Sequence, residues 1–280
     1  MTEEFVVLRD SLIPLYGEGE ARAVAFLVME ELAGLSRTDI YADKGSQFSE
    51  ETHKRFANIC KALTEGVPVQ YALGTAWFCG KKFGVTPDVL IPRQETEELV
   101  AWAVDVCRNR TVPLRILDAG TGSGCIAVSL KLALPDAEVT AWDVSDGALD
   151  VAQHNAQQLG AEVHFAKRDM LQPWNMEERY DLIVSNPPYI CERERTEMEA
   201  NVLEHEPSLA LFVPDNDPLR FYRALAQGAA RCLKPGGWLL TETNRAYAED
   251  TAALFTAAGL QGAEVRRDAF GNQRMCGAFA

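Results

Sequence analysis

Two consecutive prolines, Pro187 and Pro188, follow an apolar run and fix the point where a buried segment of this chain has to end. The run, residues 181–185, has the sequence Asp-Leu-Ile-Val-Ser and is typical of a buried β-strand. Because neither proline offers a backbone N–H to a sheet, the strand cannot continue past Asn186. The turn therefore lies at the carboxyl end of the strand, where open α/β sheets bind ligands.

The turn carries two oxygen acceptors and an aromatic ring. Asn186 supplies a side-chain amide oxygen, Pro187 a backbone carbonyl held outside the sheet, and Tyr189 a flat ring. Two acceptors and a ring suit a planar NH2 group, because the acceptors bind its two hydrogens and the ring packs on its face. The alternative is an ordinary proline-rich turn with a capping Asn, and the tetrapeptide alone does not decide between the two.

A glycine-rich loop upstream favours a ligand site. Residues 118–124 have the sequence Asp-Ala-Gly-Thr-Gly-Ser-Gly and lie between a short apolar strand, residues 114–117, and a predicted helix start at Cys125. Glycines at alternate positions permit a tight turn and the close approach of backbone to a ligand. The dinucleotide-binding fingerprint needs a further glycine where this chain has Ile126, so a pyrophosphate cradle is disfavoured.

Asp143 ends the next predicted strand, residues 137–142, one strand–helix–strand unit after Asp118. An acid at such a strand end can accept hydrogen bonds from both hydroxyls of a ribose. The alternative is an N-cap for the helix that begins near Ser145. With the glycine loop directly upstream, the ribose role is the favoured interpretation.

These motifs resemble a known family. The glycine loop followed by a strand-end acid resembles the cofactor site of class I S-adenosylmethionine methyltransferases. The turn at 186–189 resembles the acceptor motif of members that methylate planar NH2 groups, which include adenine-N6 and glutamine-N5 enzymes. Residues 68–100, which begin Pro-Val-Gln-Tyr-Ala-Leu-Gly, resemble the linker of the bacterial release-factor glutamine methyltransferases. Glu206-Pro207 and the late Asp268-x-x-Gly-x-x-Arg fit the same family, so the resemblance spans nearly the whole chain.

The resemblance implies a reaction and a set of site residues. The enzyme would transfer a methyl group from S-adenosyl-L-methionine, without a metal, to the side-chain amide N5 of the glutamine in the Gly-Gly-Gln motif of class I peptide chain release factors. The implied cofactor-binding residues are Gly120, Thr121, Gly122, Ser123, Gly124, Asp143, Met170 and Asn186. The implied catalytic residues are Asn186, Pro187 and Tyr189, and Pro188 joins them in binding the substrate.

Several points stay open. Met170 would offer a soft surface to the adenine ring, and Trp174 is a rival for that contact whose alternative is ordinary core packing. Gln94 and Asp217 depart from the family pattern, which usually has a proline and a glycine there. The other substrates considered are a ribosomal-protein glutamine and, with less support, an adenine N6 of nucleic acid.

The predicted fold is α/β. Residues 93–280 alternate strands and helices and predict a Rossmann-like class I methyltransferase sheet, mostly parallel with an antiparallel final strand. Residues 68–92 predict a β-hairpin linker. Residues 1–67 predict a small helical bundle for substrate recognition, since Phe5, Leu8 and Leu12 recur at helical spacing.

Composition narrows the class of protein. A net charge of −14 and a pI near 4.8 repel phosphates, so no stable nucleic-acid binding is expected. The seven cysteines include no Cys-x-x-Cys pair, which is typical of reduced cytoplasmic thiols. The chain has no apolar run of membrane-spanning length and begins with an acidic segment, so we expect a cytoplasmic protein without a membrane anchor. We also expect it to act as a monomer.

Overall fold

The computed structural model describes residues 1–43, 48–108 and 113–280. They group into two compact units, one formed by residues 1–75 with 199–205 and the other by residues 76–198 with 206–280. The helices are α1 Glu3–Ala33, α2 Arg37–Tyr41, α3 Glu50–Thr64, α4 Val69–Leu73, α5 Gln94–Cys107, α6 Cys125–Ala133, α7 Asp146–Leu159, α8 Ala200–His205, α9 Ser208–Leu211, α10 Arg220–Cys232 and α11 Ala248–Ala257. The strands are β1 Thr75–Phe78, β2 Lys81–Gly84, β3 Arg115–Ala119, β4 Glu138–Asp143, β5 Val163–Lys167, β6 Tyr180–Ser185, β7 Ile190–Cys191, β8 Phe212–Val213, β9 Leu233–Glu242, β10 Gln261–Arg267 and β11 Gln273–Phe279.

The first unit is helical, as the spacing of its apolar residues predicts. Helix α1 is interrupted at Gly17, whose φ of 74° and ψ of 170° are not helical. Helix α3 begins after Ser49, whose side chain accepts a hydrogen bond from the Thr52 N–H. The buried faces form one apolar core that includes Phe5, Leu8, Leu12, Ala21, Val28, Met29, Ile59 and Leu63. In the described part of the chain, no helix is both long and apolar enough to cross a membrane.

The segment predicted as a hairpin linker, residues 68–92, contains a helix as well as strands. Its first residues form the single helical turn α4, because Pro68 starts the turn and Gly74, with a φ of 76°, ends it in the left-handed conformation. Strands β1 and β2 then pair through the two-residue connection Cys79-Gly80. Both connecting residues have positive φ, 47° and 68°, which is the geometry of a type I′ hairpin turn.

The second unit contains a seven-stranded sheet in the order β10-β11-β9-β6-β3-β4-β5. Strands β9, β6, β3, β4 and β5 are parallel, and β11 runs antiparallel to both of its neighbours. Helices α5 and α6 pack on one face, and α10 and α11 on the other. The predicted mostly parallel sheet with an antiparallel final strand is confirmed.

The strand order reverses at β3, which places a crevice at the carboxyl ends of the central strands. The chain leaves β3 for β4 on one side and later returns as β6 on the other side. Such a reversal is where open α/β sheets bind ligands. The glycine loop follows β3, Asp143 ends β4, and Asn186 follows β6, so the three sequence motifs meet at this edge.

Candidate active site

A cleft opens at this edge of the second unit. Its lining includes four residues of the glycine loop together with Asp143, Met170, Asn186 and Pro188. Most of the residues that the sequence singled out therefore come together. Three of them, Gly124, Pro187 and Tyr189, are not part of the lining.

The glycines of the loop are required by its backbone. Gly120, Gly122 and Gly124 have φ values of 79°, 53° and 79°, which L side chains rarely adopt. A Cβ on Gly120 would lie 2.8 Å from the Met170 Cε, and one on Gly124 would lie 3.0 Å from the Ala152 Cβ. A Cβ on Gly122 would meet no atom of the described residues within 4 Å, so the loop leaves room there for a ligand.

The Asp143 carboxylate is held by two backbone groups. Its Oδ2 accepts a hydrogen bond from the Gly122 N–H at 2.9 Å, and its Oδ1 accepts one from the Ser145 N–H at 3.0 Å. The N-cap of α7 is Ser145, whose side chain accepts from the Ala148 N–H, so the capping alternative for Asp143 is wrong. Each carboxylate oxygen keeps a further lone pair, and the ribose role stays a prediction.

Trp174 belongs to the core. Its Nε1 donates a hydrogen bond to the Met170 carbonyl at 2.9 Å, and its ring meets Trp142 edge-on at a centroid distance of 5.0 Å. Trp174 is not part of the cleft lining, whereas Met170 is. Of the two rivals for the contact with an adenine ring, Met170 lines the cleft, and its contact with the ring stays a prediction.

Asp118 contributes a buried carboxyl group beneath the loop. Its Oδ2 accepts hydrogen bonds from the Thr121 hydroxyl at 2.7 Å and from the Ala127 N–H at 3.1 Å. Its Oδ1 is buried and has no hydrogen-bond partner among residues 1–43, 48–108 and 113–280. Burial raises the pKa of Asp118 to about 7, against the opposing effect of the two hydrogen bonds.

Asn186 is oriented by a residue that the sequence did not single out. Its Nδ2 donates a hydrogen bond to the Thr96 Oγ1 at 3.1 Å, which leaves Oδ1 as the end of the amide that can accept. The Tyr189 hydroxyl donates to the Glu242 Oε1 at 2.9 Å. Burial, followed by the charge of Glu242, raises the pKa of Tyr189 well above 10, so the hydroxyl stays protonated.

Two further contacts shape the cleft. Arg93 forms an ion pair with the buried Glu206 at 2.5 Å, and the Ile91 N–H donates to the same carboxylate at 3.3 Å. Arg168 lies over the Trp142 ring at 4.6 Å and makes two hydrogen bonds to Glu178. Glu206-Pro207 fits the family pattern, but the sequence did not predict which residue pairs with the Glu206 carboxylate.

The two departures from the family pattern have simple structural outcomes. Gln94 is the first residue of α5, a position that does not require proline. Asp217 does not have a positive φ, so the loop there does not need glycine, and its carboxylate pairs with Arg223 at 3.0 Å.

This chain is similar to known methyltransferases in both sequence and fold. A family model described as the methyltransferase small domain matches residues 105–208. A methyltransferase from Pyrococcus furiosus shares the fold with a TM-score of 0.50 at 15% identity, over 83% of this chain and 98% of that one. The fold is that of a class I methyltransferase.

Relatives of known name cover nearly the full chain. A release factor glutamine methyltransferase from Bacteroides thetaiotaomicron is 45% identical over 96% of both chains. One from Bordetella pertussis is 41% identical over 93% of this chain and 96% of its own. A model of the PrmC N-terminal domain matches residues 13–74. This chain belongs to the release factor glutamine methyltransferase family.

Proposed function

We propose that this chain transfers a methyl group from S-adenosyl-L-methionine to the side-chain N5 of the glutamine in the Gly-Gly-Gln motif of peptide chain release factors. The observation that carries the proposal is the Asn186 amide, at a cleft that also contains Gly122 and Asp143. Thr96 holds the nitrogen of this amide, and its oxygen has no partner among the described residues. Family membership supports the substrate class.

The residues at the cleft fit the cofactor. Gly120, Thr121, Gly122, Ser123 and Gly124 would hold it with Asp143 and Met170, and the open space beside Gly122 admits a ligand close to the backbone. The buried Oδ1 of Asp118, which has no partner among the described residues, is a further polar atom beneath the loop. When bound, S-adenosylmethionine supplies a methyl group activated by a positively charged sulfur. Within the described residues, no cluster of three or more acidic, His or Cys side chains suits a metal ion.

The acceptor residues address a chemical difficulty of the substrate. A carboxamide nitrogen is a weak nucleophile because its lone pair is delocalised into the carbonyl. Acceptors at the Asn186 Oδ1 and the Pro187 carbonyl would bind the two NH2 hydrogens and favour a pyramidal nitrogen. Because the nitrogen gains positive charge as it reacts, these contacts strengthen toward the transition state, which is the condition for catalysis.

The proton lost from nitrogen does not go to Tyr189. Its hydroxyl keeps its own proton and donates a hydrogen bond to the Glu242 carboxylate. The N–H becomes acidic as the new N–C bond forms, so water can take the proton without a strong base. Tyr189 is left with two tasks, holding its ring in place and anchoring the turn to Glu242.

The helices of the first unit are proposed to recognise the protein substrate. Their sequence carries more acidic than basic residues, which does not suit the steering of phosphates. The match of residues 13–74 to a domain model of the same family supports a role shared with its members.

The test is substrate selection. Purified enzyme is incubated with methyl-labelled S-adenosylmethionine and, in separate reactions, with a release factor, a mixture of ribosomal proteins and DNA. The proposal expects label on the release factor alone, and none on a release factor whose Gly-Gly-Gln glutamine is replaced by alanine. Label on ribosomal protein or DNA with none on the release factor would overturn it.

A further inference from the structure

Glu242 lies beside the active-site turn although no sequence motif marked it. It is the last residue of β9, and β9 runs parallel to β6 with Ser185 paired to Thr241. Glu242 is therefore level with Asn186, the residue that follows β6. Only 1% of Glu242 is exposed, and each of its carboxylate oxygens has a hydroxyl partner. Oε2 accepts from Thr96 at 2.6 Å, and Oε1 accepts from Tyr189 at 2.9 Å.

The hydrogen bonds through Thr96 have a fixed direction. An ionised carboxylate can only accept, so the single hydroxyl hydrogen of Thr96 points at Glu242. The Thr96 oxygen is then left as an acceptor on its other side, where the Asn186 Nδ2 donates to it at 3.1 Å. An amide whose nitrogen end is held in this way presents its oxygen to the cleft. The charge of Glu242 thus determines which end of the Asn186 amide faces a substrate.

We propose that Glu242 is a positioning residue for methyl transfer: through Thr96 its carboxylate turns the Asn186 Oδ1 toward the substrate NH2 group, and through the Tyr189 hydroxyl it fixes the aromatic ring of the turn. The inference rests on the proposed function. A flipped Asn186 would offer its own NH2 to the NH2 of the substrate, and two donors repel each other.

A nearby cation favours the ionised form of Glu242 against the effect of its burial. The positive charge of Arg274 stabilises the carboxylate, and Arg274 is itself held by the buried Asp268 at 3.4 Å. Asp268 also accepts hydrogen bonds from the backbone of Phe270 and Asn272 and so orders the turn between β10 and β11. The late Asp268-x-x-Gly-x-x-Arg motif therefore serves to place a cation next to Glu242.

The ionisation of Glu242 should make the rate of methyl transfer depend on pH in one direction. Burial raises the pKa of Glu242, with a smaller rise from the charge of Glu95, while hydrogen bonds from Thr96 and Tyr189 and the charge of Arg274 oppose the rise. Tyr222 also lies near Glu242: burial, followed by the charge of Glu242, raises the pKa of its hydroxyl. Because the ionised form orients Asn186, methyl transfer should increase as pH rises through the Glu242 titration and then level off.

The test compares the single-turnover rate of the wild type with that of Glu242→Gln on release factor across pH. Glutamine has the same shape but one acceptor oxygen in place of two, so one of the two hydroxyls loses its acceptor. We expect a plateau rate lower by about 10-fold, at the low end of the effect of outer-shell partners, and loss of the pH-dependent rise, with the affinity for S-adenosylmethionine unchanged. An unchanged rate and an unchanged pH profile would overturn the inference.

If Glu242→Gln does not fold, two variants of Thr96 test the same relay, which is the pair of hydrogen bonds from Glu242 through Thr96 to Asn186. Thr96→Val keeps the shape and removes the hydroxyl, and Thr96→Ser restores the hydroxyl. We expect Thr96→Val to lower the single-turnover rate by about 10- to 100-fold, and Thr96→Ser to recover most of the loss. Equal rates for Thr96→Val and the wild type would refute the relay. A wild type that does not methylate release factor would instead refute the proposed function, which separates the two failures.

Discussion

The Asp143 carboxylate accepts a hydrogen bond from the Gly122 N–H at 2.9 Å, and this contact ties the end of β4 to the glycine loop after β3. It also holds the carboxylate at the cleft, where we predict that it binds the ribose hydroxyls of the cofactor. Asp143→Ala should therefore weaken the binding of S-adenosylmethionine by about 1.5–3 kcal/mol, the range for a charge-assisted hydrogen bond. Isothermal titration calorimetry measures this directly.

Asp146→Ala is the matched control for this change. Asp146 is the first residue of α7, carries the same charge and is exposed outside the cleft lining. Its removal should leave cofactor affinity unchanged. Equal affinities for wild type and Asp143→Ala would contradict the ribose assignment.

Asn186→Ala should abolish most methyl transfer while the cofactor still binds. Asn186 is the one side chain of the turn that can accept a hydrogen bond from the substrate amide at the cleft, and the loss of one preorganised acceptor typically costs about 100- to 1000-fold in turnover. Single-turnover assays with release factor give the rate, and calorimetry gives the cofactor affinity. A variant that retained the wild-type rate would remove Asn186 from the mechanism.

Tyr189→Phe should be milder than Asn186→Ala. The ring is kept, and the hydroxyl that is lost only anchors it to Glu242 at 2.9 Å. The same single-turnover assay ranks the two variants. If Tyr189→Phe proved as damaging as Asn186→Ala, the hydroxyl would take part in proton transfer, contrary to the raised pKa that keeps it protonated.

Much of the fold follows from local patterns in the sequence. The apolar run 181–185 predicted the strand that the structure has at Tyr180–Ser185, because a buried parallel strand needs apolar residues on both faces. The segment around Val69 was less clear, since alternating apolar residues over five positions suit a strand as well as one helical turn. There Pro68 and Gly74 decide the outcome by starting and ending the turn α4.

The sequence predicted the site residues that a local motif marks. It did not predict those that matter through a contact with a residue distant in the chain. Glycine spacing and a strand-end acid marked Gly120 and Asp143, which line the cleft. Thr96 lies 90 residues before Asn186 and contacts it only because α5 packs near β6, so no local sequence pattern marks Thr96 as a site residue. Glu242 also ends a buried strand, and the reasoning applied to Asp143 would have found it.

Gly124→Ala should destabilise the fold more than Gly160→Ala. Both glycines have positive φ, 79° and 67°, and share a cost of about 1–2 kcal/mol for a left-handed alanine. Only at Gly124 would the new Cβ meet another residue, at 3.0 Å from the Cβ and 3.2 Å from the Cα of Ala152, whereas the surroundings of Gly160 are open. Urea denaturation compares the free energies of unfolding, and equal losses would show that the loop can move away from α7.

Removal of residues 1–74 should impair methylation of intact release factor more than binding of S-adenosylmethionine. The cleft is lined wholly by the second unit, so the cofactor site does not include the deleted helices. A short peptide with the Gly-Gly-Gln sequence serves as the control, since its rate should differ little between the full chain and the truncated one. If the truncated enzyme binds cofactor and methylates intact factor at the full-length rate, the N-terminal helices have no recognition role.

Asp118→Asn should change how stability depends on pH. Burial raises the pKa of Asp118 to about 7 in the folded chain, whereas the ordinary value of 3.8 applies to the unfolded chain. Between these two values the folded state holds a proton that the unfolded state has lost, so the wild type loses stability as pH rises, by at most about 1.4 kcal/mol per pH unit. Above pH 7 both states are ionised and this contribution becomes constant.

Asparagine at position 118 keeps the shape and does not titrate, so the difference in unfolding free energy between wild type and Asp118→Asn isolates this group. Urea denaturation of the cofactor-free proteins at pH 5, 6, 7 and 8 measures it. The unfolding free energy of the wild type should fall relative to that of Asp118→Asn from pH 5 to pH 7. Above pH 7 the difference should stay constant, since the folded-state pKa lies at about 7. Parallel stability curves over the whole range would mean that Asp118 is ionised in the folded chain at pH 5. Its hydrogen bonds would then stabilise the carboxylate more than burial destabilises it.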